Sequence, residues 1–425
     1  MTSIDDALWR DLSGDLVARF RPIADRAALG AVAREHDRAL PAAEVRELRD
    51  AGLASARLPV ERGGLGLDWV AFGRLLIAVA AADANLPQIL RGQFALVEQA
   101  LTTTDAGFRE RWLARFAAGE IAGNSWSEPS GSTTTRSATE LTRDADGTLR
   151  ITGRKFYTTG SIFAEWTDTV AHRVEDDTEV AALVRLDQPG VTVLDDWDGF
   201  GQRLTGTGTI VFEDAVVDAA DVMPVAGRFA YQTALYQFVL LANLAGIAHA
   251  AVRDFSQAVR ERSRVFSHGN AALARDDAQI QALIGEAAAS AFAVESTVLQ
   301  AAVSLDEAYA AAVAFRDAPD DLALADRALV AAGFAEIRTA QAQSFATGAV
   351  TALATRLFDA LAASATARTK GLDRHWRNAR TVSSHNPVLF KNRWIGEWAL
   401  DGTLPQPLWG IGTHAPVPEP AERRV

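Results

Sequence analysis

The 425-residue chain contains no cysteine at all. This absence excludes disulfides, thiolate metal ligands and a cysteine nucleophile. The chain also lacks an excess of positive charge, since its formal net charge is −12. Proteins that bind nucleic acid normally present a basic surface. We therefore expect no nucleic-acid partner.

Long uninterrupted apolar runs are missing as well. The stretch 231–252 comes closest, but four polar side chains interrupt it, so no transmembrane helix is predicted. The first ten residues include Asp5 and Asp6 and no apolar segment of the kind found in signal peptides. No HExxH motif or clustered His and Asp spacing is present, so no cofactor metal is expected. These features predict a cytoplasmic protein without a membrane partner.

The chain contains two kinds of hydrophobic pattern. Its length favours more than one domain. Apolar residues at helical spacing fill both ends, and alanine is frequent from 271 to 365. Between them, Val, Thr, Ile and Phe alternate with polar residues and turns, which predicts short strands. We predict a mostly α fold with a helical domain at 1–120, a central β-barrel domain at 121–226, a C-terminal four-helix bundle at 227–400 and a surface tail at 401–425.

Two segments of the predicted β domain concentrate hydroxyl side chains, glycine and aromatic rings. They are 121–132 and 153–161, and together we name them the polar wall. Ser, Thr and Gly are also common in ordinary turns, so a purely structural role stays open. A β insert of this composition between two helical blocks suggests one side of a ligand site.

Four segments in this order resemble the acyl-CoA dehydrogenase superfamily, and the resemblance spans roughly 20–410. They read RGGLGL at 62–67, WSEPSGS at 126–132, GRKFYTTGS at 153–161 and TIVFEDAVV at 209–217. Two further segments resemble the flavin-dependent monooxygenase branch, which includes dibenzothiophene and other organosulfur monooxygenases and N-hydroxylating enzymes. These are GQRLTGTGT at 201–209 and LDRHWRNART at 372–381, the latter followed by SHNP at 384–387.

The resemblance implies a two-component enzyme with an acyl-CoA dehydrogenase-like fold. A separate NAD(P)H-dependent reductase would supply reduced FMN, and oxygen would add to form a C4a-hydroperoxyflavin. That species would oxygenate a small apolar or aromatic substrate at sulfur, nitrogen or carbon. The family also implies a homotetramer, with FAD as the alternative cofactor.

An acyl-CoA dehydrogenase using FAD is the competing interpretation. Such an enzyme needs a carboxylate to remove a proton beside a thioester carbonyl. The family places this glutamate in the late loop or on the first helix of the bundle. Here the late loop reads HWRN at 375–378, and no glutamate occurs between Glu213 and Glu261. A non-catalytic member of the fold is the third possibility.

The resemblance assigns catalytic roles to four residues. Histidine exchanges protons near neutral pH, so His385 is the leading candidate to form or protonate the peroxide. The alternative for His385 is a surface contact of a loop. Asn124, Ser127 and Thr159 would position the peroxide.

Further residues of the same motifs are candidate flavin ligands. Trp126 would lie against the isoalloxazine, and Arg264 would grip the phosphate bidentately, unless it belongs to a solvated charge run. His375 and Arg377 would assist, with a neighbouring subunit as a possible source, although His375 could equally be a packing residue. The polar wall would contribute Ser132, Tyr157, Thr158 and Ser161.

Four residues are candidate substrate contacts. Phe94, Trp197 and Phe238 would form an apolar lining, which suits a hydrophobic or aromatic substrate. Gln93 stands where the branch usually has histidine. An amide can hydrogen-bond a substrate or peroxide but cannot carry a proton between them.

Overall fold

A computed structural model describes residues 4–128 and 136–405. Asp and Ser side chains set several helix starts, because each accepts a backbone N–H of the first turn. Ser13, Asp68, Asp105, Asp277 and Asp321 act in this way. The N-terminal helices are α1 Ile4–Arg10, α2 Gly14–Asp37, α3 Ala42–Asp50, α4 Trp69–Ala82, α5 Asn85–Ile89, α6 Arg91–Thr102 and α7 Ala106–Ala117.

The strands and the second helical block follow in the order that the hydrophobic pattern predicts. The strands are β1 Ala122–Ser125, β2 Glu140–Arg143, β3 Leu149–Phe156, β4 Trp166–Arg173, β5 Thr178–Arg185, β6 Val191–Leu194, β7 Thr209–Val217 and β8 Val222–Pro224. The later helices are α8 Gln232–Glu261, α9 Ala278–Asp317, α10 Leu322–Arg356, α11 Asp373–Ser384 and α12 Val388–Asp401. The helix, strand, helix order of the prediction is confirmed.

The strands form one mixed sheet, and its pairing corrects the prediction of a barrel. The order is β6-β7-β3-β2-β4-β5-β8, with β1 joined to β4 off this path. Strands β1 and β2 pair parallel with β4, and the other pairs are antiparallel. A barrel requires its first and last strands to pair. In the described residues β6 and β8 remain at opposite edges, so the sheet is open.

The main hydrophobic core lies where α4 meets the long helices of the C-terminal block. Helix α4 is buried along most of its length. A Cβ at Gly246 on α8 would lie 2.4 Å from the Cβ of Ala80, so these two helices need glycine for their close approach. Helix α11 packs against α8 and α10 at the edge of this core. It contains residues 375–378, so the prediction of a loop there is wrong and the segment is helical.

Two helices, α8 and α9, are long and apolar enough to cross a membrane by length and composition alone. In α8, 89% of the apolar window is buried inside the protein, as expected for a core helix. In α9 only 22% is buried. An apolar side of α9 is therefore left without cover in a single chain.

Candidate functional site

The start of α6 lies directly against β1. A Cβ at Gly92 would be 3.0 Å from both the backbone nitrogen and the Cβ of Asn124. Beside it, the Gln93 amide donates to the Ala54 carbonyl at 3.2 Å and accepts from the Ala122 N–H at 2.8 Å. Gln93 is fully buried, and these bonds tie α6 to the sheet. Its role as a substrate contact stays a prediction.

The described part of the polar wall is held by hydroxyl groups. Thr159 Oγ1 lies 2.7 Å from Thr207 Oγ1, and Thr158 Oγ1 donates to the Gly208 carbonyl at 3.0 Å. Ser161 Oγ lies 3.1 Å from Thr167 Oγ1. These bonds draw the loop 205–208 against the wall. They also leave Thr158, Thr159 and Ser161 buried and firmly positioned.

A glycine and an asparagine complete this side of the site. Gly160 has φ +82°, and a Cβ there would lie 2.1 Å from the Ile89 carbonyl oxygen, so only glycine fits. The Asn124 N–H donates to the Thr159 carbonyl at 3.3 Å. Within the described residues, the buried Asn124 Oδ1 has no hydrogen-bond partner. The backbone carbonyl of Ser127 accepts from the Phe156 N–H at 2.9 Å, which fixes the end of this segment.

His385, at the end of α11, reaches the start of α6. Its Nε2 lies 3.0 Å from Arg91 Nη2, and its Nδ1 lies 3.3 Å from Asn386 Oδ1. A guanidinium group only donates hydrogen bonds, so Nε2 must accept and the proton must sit on Nδ1. Asn386 is held in turn by its Nδ2, which donates to Gln237 Oε1 at 2.8 Å. The histidine is therefore oriented by contacts on both ring nitrogens.

Protein surroundings and charge keep His385 neutral. Desolvation within the fold and the positive charge of Arg91 lower the pKa of His385 well below its ordinary value. His385 is nevertheless an exposed residue of the single chain, so it lies at the protein surface rather than in the core. At neutral pH this side chain is a proton acceptor at Nε2.

Arg91 on α6 and Tyr236 on α8 lie against each other beside His385. Arg91 Cζ lies 4.8 Å from the centre of the Tyr236 ring, within cation–π distance. Burial lowers the pKa of Arg91 to about 10 and raises that of Tyr236 to about 12, so at neutral pH the arginine is charged and the tyrosine is not. We name Arg91, Asn124, Tyr236 and His385 the junction, since they come from α6, β1, α8 and the end of α11.

An ion pair stands next to the junction. Arg228 Nη2 donates to Asp168 Oδ2 at 2.8 Å, and both side chains are fully buried. The Arg228 guanidinium also lies 5.4 Å from the centre of the Trp126 ring. Trp126 therefore has a cation within cation–π distance of its ring, and its stacking on the flavin stays a prediction.

His375 and Arg377 lie on α11 but anchor that helix. His375 Nε2 lies 2.9 Å from Asp254 Oδ2, and burial lowers the pKa of His375 to about 4. Arg377 donates to Glu35 at 2.6 Å and to the Phe200 carbonyl at 2.8 Å. These contacts tie α11 to α2, to α8 and to the loop around residue 200. A role for either residue at the flavin stays a prediction.

Arg264 lies away from the polar wall within one chain. With Arg262 it lines a cavity of about 1260 Å³ beside the end of α8 and the segment 361–372, and no polar-wall residue lines that cavity. A single chain therefore does not bring Arg264 together with Asn124. The phosphate-binding role predicted for Arg264 stays a prediction.

The remaining predicted residues divide into core and surface positions. Phe94 packs edge-on against Phe72 with ring centres 4.9 Å apart, and Phe238 packs against Trp69 at 5.6 Å. Tyr157 is 50% exposed, and its ring centre lies 6.0 Å from that of Trp197. Phe94 and Phe238 thus belong to the main hydrophobic core, whereas Tyr157 is open to a ligand. Ser132 lies outside the described residues.

Buried polar atoms without partners test whether a flavin fits here. Such atoms normally find a partner in proteins, so orphans next to a site point to a ligand. Asn124 Oδ1, both amide atoms of Gln202 and the Tyr236 hydroxyl lack partners in the part of the chain described. Gln202 is linked to the wall because its carbonyl accepts from Thr205 Oγ1 at 2.9 Å. An isoalloxazine ring carries carbonyl and N–H groups that can satisfy such atoms, so the residues fit a flavin.

Three residues of this site are not among those predicted from the sequence: Arg91, Gln202 and Tyr236. One of them left a signal, because Arg91 is a single cation in the otherwise nearly apolar stretch 86–97. A lone charge in a buried helix normally has a functional or ion-pairing reason. Gln202 lies in the segment 201–209 that resembles the monooxygenase branch, whereas Tyr236 left no signal; the orphan atoms of both arise only from long-range packing.

Comparison with known proteins agrees with this geometry. Family models for the acyl-CoA dehydrogenase N-terminal and C-terminal domains match residues 15–120 and 239–389. The "Probable FMNH2-dependent monooxygenase SfnC" of Pseudomonas putida is 28% identical over 91% of this chain and 95% of its own length.

Two solved structures are similar along nearly their whole length. TdsC of Paenibacillus sp. A11-2, a dibenzothiophene monooxygenase solved with FMN and indole, is 28% identical with a TM-score of 0.82, covering 93% of this chain and 99% of that one. The methanesulfinate monooxygenase MsuC of Pseudomonas fluorescens is 25% identical with a TM-score of 0.81, again covering 93% and 99%.

Fold, site and relatives together define a flavin-dependent oxidoreductase. The chain belongs to the acyl-CoA dehydrogenase superfamily, and within it to the branch of FMNH2-dependent monooxygenases.

Proposed function

We propose that this monooxygenase transfers one oxygen atom to a small, largely apolar molecule at sulfur, nitrogen or carbon. Substrate, O2 and FMNH2 would yield the oxygenated product, FMN and water. Reduced FMN, when bound, supplies the two electrons for this reaction. The observation that carries the proposal is the junction, where His385 contacts Arg91 at the start of α6 and the neighbouring Asn124 has a buried Oδ1 without a partner in the described residues.

Residues of the junction and of its surroundings have distinct parts in this proposal. Asn124 and Gln202 would hold the polar edge of the flavin with their unpartnered amide atoms. His385 would accept a proton at Nε2 when that nitrogen exchanges its hydrogen bond from Arg91 for one from the reacting group, since the imidazole is neutral at neutral pH. The apolar core behind α6 and α8 would exclude water from the reacting oxygen. Ser127 and Thr159 complete the wall.

The substrates named for the relatives limit the range of substrates to consider for this chain. TdsC is named for dibenzothiophene and was solved with indole, whereas MsuC is named for methanesulfinate. We propose that this chain likewise acts on a small molecule presented beside Tyr157 and Trp197. A separate NAD(P)H-dependent reductase would supply the reduced flavin.

The proposal predicts both flavin binding and oxygen transfer. Anaerobic titration with reduced FMN should show saturable binding, and reduced FAD should bind more weakly. With a flavin reductase, NADH and ¹⁸O2, one labelled oxygen should appear in the product of a sulfide, thiophene or sulfinate panel. Absence of label from every product, with reduced FMN bound, would contradict the proposal.

The dehydrogenase alternative is less well supported by the residues near the junction. Asp168 is the carboxylate beside it, and its ion pair with Arg228 occupies it. A general base needs a carboxylate that reaches the substrate and is free to take a proton. Tightly held FAD that an acyl-CoA reduces would nevertheless decide in favour of a dehydrogenase.

We further propose that the chain forms a homotetramer through its C-terminal helices. Several large apolar side chains of α9, α10 and α12 are exposed, among them Phe292 at 70%, Leu329 at 52% and Leu389 at 76%. Such an apolar surface commonly marks an interface between subunits. A neighbouring copy could then present Arg264 to the flavin of the first.

The expected solution mass is four times that of the 45.5 kDa chain. Light scattering coupled to gel filtration measures it directly. Replacing exposed Phe292 by glutamate should shift the mass towards smaller species, because a charge would be buried in the interface. A change of the exposed, polar Arg143 to glutamine is the matched control and should leave the mass unchanged. A wild-type monomer would refute this assembly.

A further inference from the structure

The chain has four buried arginines in its described residues, and one differs from the rest. Arg57, Arg91, Arg228 and Arg374 are 8%, 4%, 5% and 8% exposed. Three of them pair with a carboxylate, namely Glu98, Asp168 and Asp254. Arg91 has no carboxylate partner in the ranges 4–128 and 136–405, although it is the most buried of the four. Within the described residues, its one side-chain hydrogen bond is to His385.

The charge of Arg91 cannot be removed by deprotonation at neutral pH. Burial lowers the pKa of Arg91 to about 10, which still leaves the guanidinium protonated. The contact with the Tyr236 ring offsets part of the desolvation but supplies no negative charge. Arg91 Nε is also buried without a hydrogen-bond partner. An unpaired buried cation is costly, so its retention calls for a counter-ion from outside the chain.

The surroundings of Arg91 carry one excess positive charge. The nearest other ionised groups, Arg228 and Asp168, compensate each other in their own ion pair. His385 is neutral, and Tyr236 is protonated at neutral pH. Arg91 is moreover the first residue of α6, so the positive end of that helix dipole adds to the same field. The junction as a whole therefore attracts one negative charge.

We propose that Arg91 binds the anionic head of the substrate, which we infer to be a small organic oxyanion such as a carboxylate or a sulfur oxyacid. This inference rests on the proposed monooxygenase function and specifies its substrate class. A planar guanidinium suits two oxygens of one anionic group. The anion would sit against the Arg91 guanidinium beside His385, and the apolar part of the substrate would extend towards the exposed Tyr157.

Matched pairs of ligands test this directly on the protein supplied with oxidised FMN. Benzoate is compared with benzamide, and benzenesulfinate with methyl phenyl sulfone, by isothermal titration calorimetry at constant ionic strength. Each pair keeps the ring and changes the charge. We expect the better of the two anions to bind at least about tenfold more tightly than its neutral counterpart. The anion that binds more tightly shows whether the site prefers a carboxylate or a sulfur oxyacid. Equal affinities within both pairs would overturn the proposal.

Variants then assign the preference to Arg91. Arg91→Gln should reduce the preference to within about threefold, whereas Arg91→Lys should keep part of it because the charge is retained. Arg143→Gln removes an exposed charge, 41% accessible, and should leave the preference intact. A preference that survives in Arg91→Gln refutes the assignment. If Arg91→Gln does not fold, Arg91→Lys and the wild-type pairs still decide the question.

Flavin affinity separates this proposal from the proposed function. Arg91→Gln should bind FMN within about threefold of wild type; a parallel loss of FMN and anion binding would place Arg91 at the cofactor and overturn the inference. If the wild-type protein prefers anions but neither binds FMN nor incorporates ¹⁸O, the monooxygenase function fails while the anion site stands.

Discussion

Replacement of His385 by alanine is expected to reduce oxygenated product per reduced FMN by about 100- to 1,000-fold. A positioned acid or base commonly contributes a factor of this size. His385 is the neutral imidazole of the junction, and its Nε2 accepts from Arg91 at 3.0 Å. The loss should appear in product yield measured by chromatography with a constant supply of reduced FMN. The melting temperature should change little, because part of the side chain is exposed.

A second variant separates proton transfer from positioning. In His385→Gln, the amide oxygen can accept from Arg91 and the amide nitrogen can donate to Asn386, so both hydrogen bonds are retained. Glutamine cannot carry a proton, so we expect a loss close to that of alanine. Recovery of product formation in His385→Gln would show that orientation alone matters. His249→Gln is the control, since His249 contacts Glu295 elsewhere on the protein.

Replacement of Glu98 by glutamine is expected to destabilise the protein by about 3–5 kcal/mol. Glu98 is fully buried and accepts from Arg57 Nε at 3.0 Å and from the Tyr231 hydroxyl. Without its charge, the guanidinium of Arg57 stays buried with only the more distant Asp306, 4.0 Å away, as an ionic partner, which costs far more than the loss of one hydrogen bond. The shift in the urea unfolding midpoint measures the effect.

Two further variants control this result. Glu110→Gln breaks the exposed pair with Arg62 and should leave the urea midpoint close to that of the wild type, because water screens this pair. The double change of Arg57 and Glu98 to methionine should recover most of the loss, because no unpaired charge remains. If Glu98→Gln shifts the midpoint no more than Glu110→Gln, the buried pair is not a major source of stability.

The comparison of buried arginines links these two predictions to the anion site. Arg57 has its counter-charge built into the chain, and removal of that charge should be costly. Arg91 has no such counter-charge in the described residues. The folded protein therefore already bears the free-energy cost of an unpaired buried cation at the junction. That difference is what makes Arg91 a ligand-binding group and Arg57 a structural one.

The sequence predicted the element types and their order because hydrophobic periodicity is a local property. It also placed His385, Asn124 and Thr159 in one site, since these residues lie in motifs shared with a known family. It failed on the closure of the sheet. Strand count and turn spacing predict strands, but the strand that pairs at each edge depends on contacts across the whole domain.

Tertiary structure alone shows which partner each of the predicted polar residues contacts. His375 and Arg377 lie in the same motif as a site residue, yet their partners Asp254 and Glu35 make them anchors of α11. Arg91 and His385 are 294 residues apart in the chain and 3.0 Å apart in the fold. Whether a charge is paired depends on such distant neighbours, and periodicity carries no information about them. For that reason the flavin class followed from sequence, whereas the unpaired cation, and the anionic substrate it implies, emerged only from the packed structure.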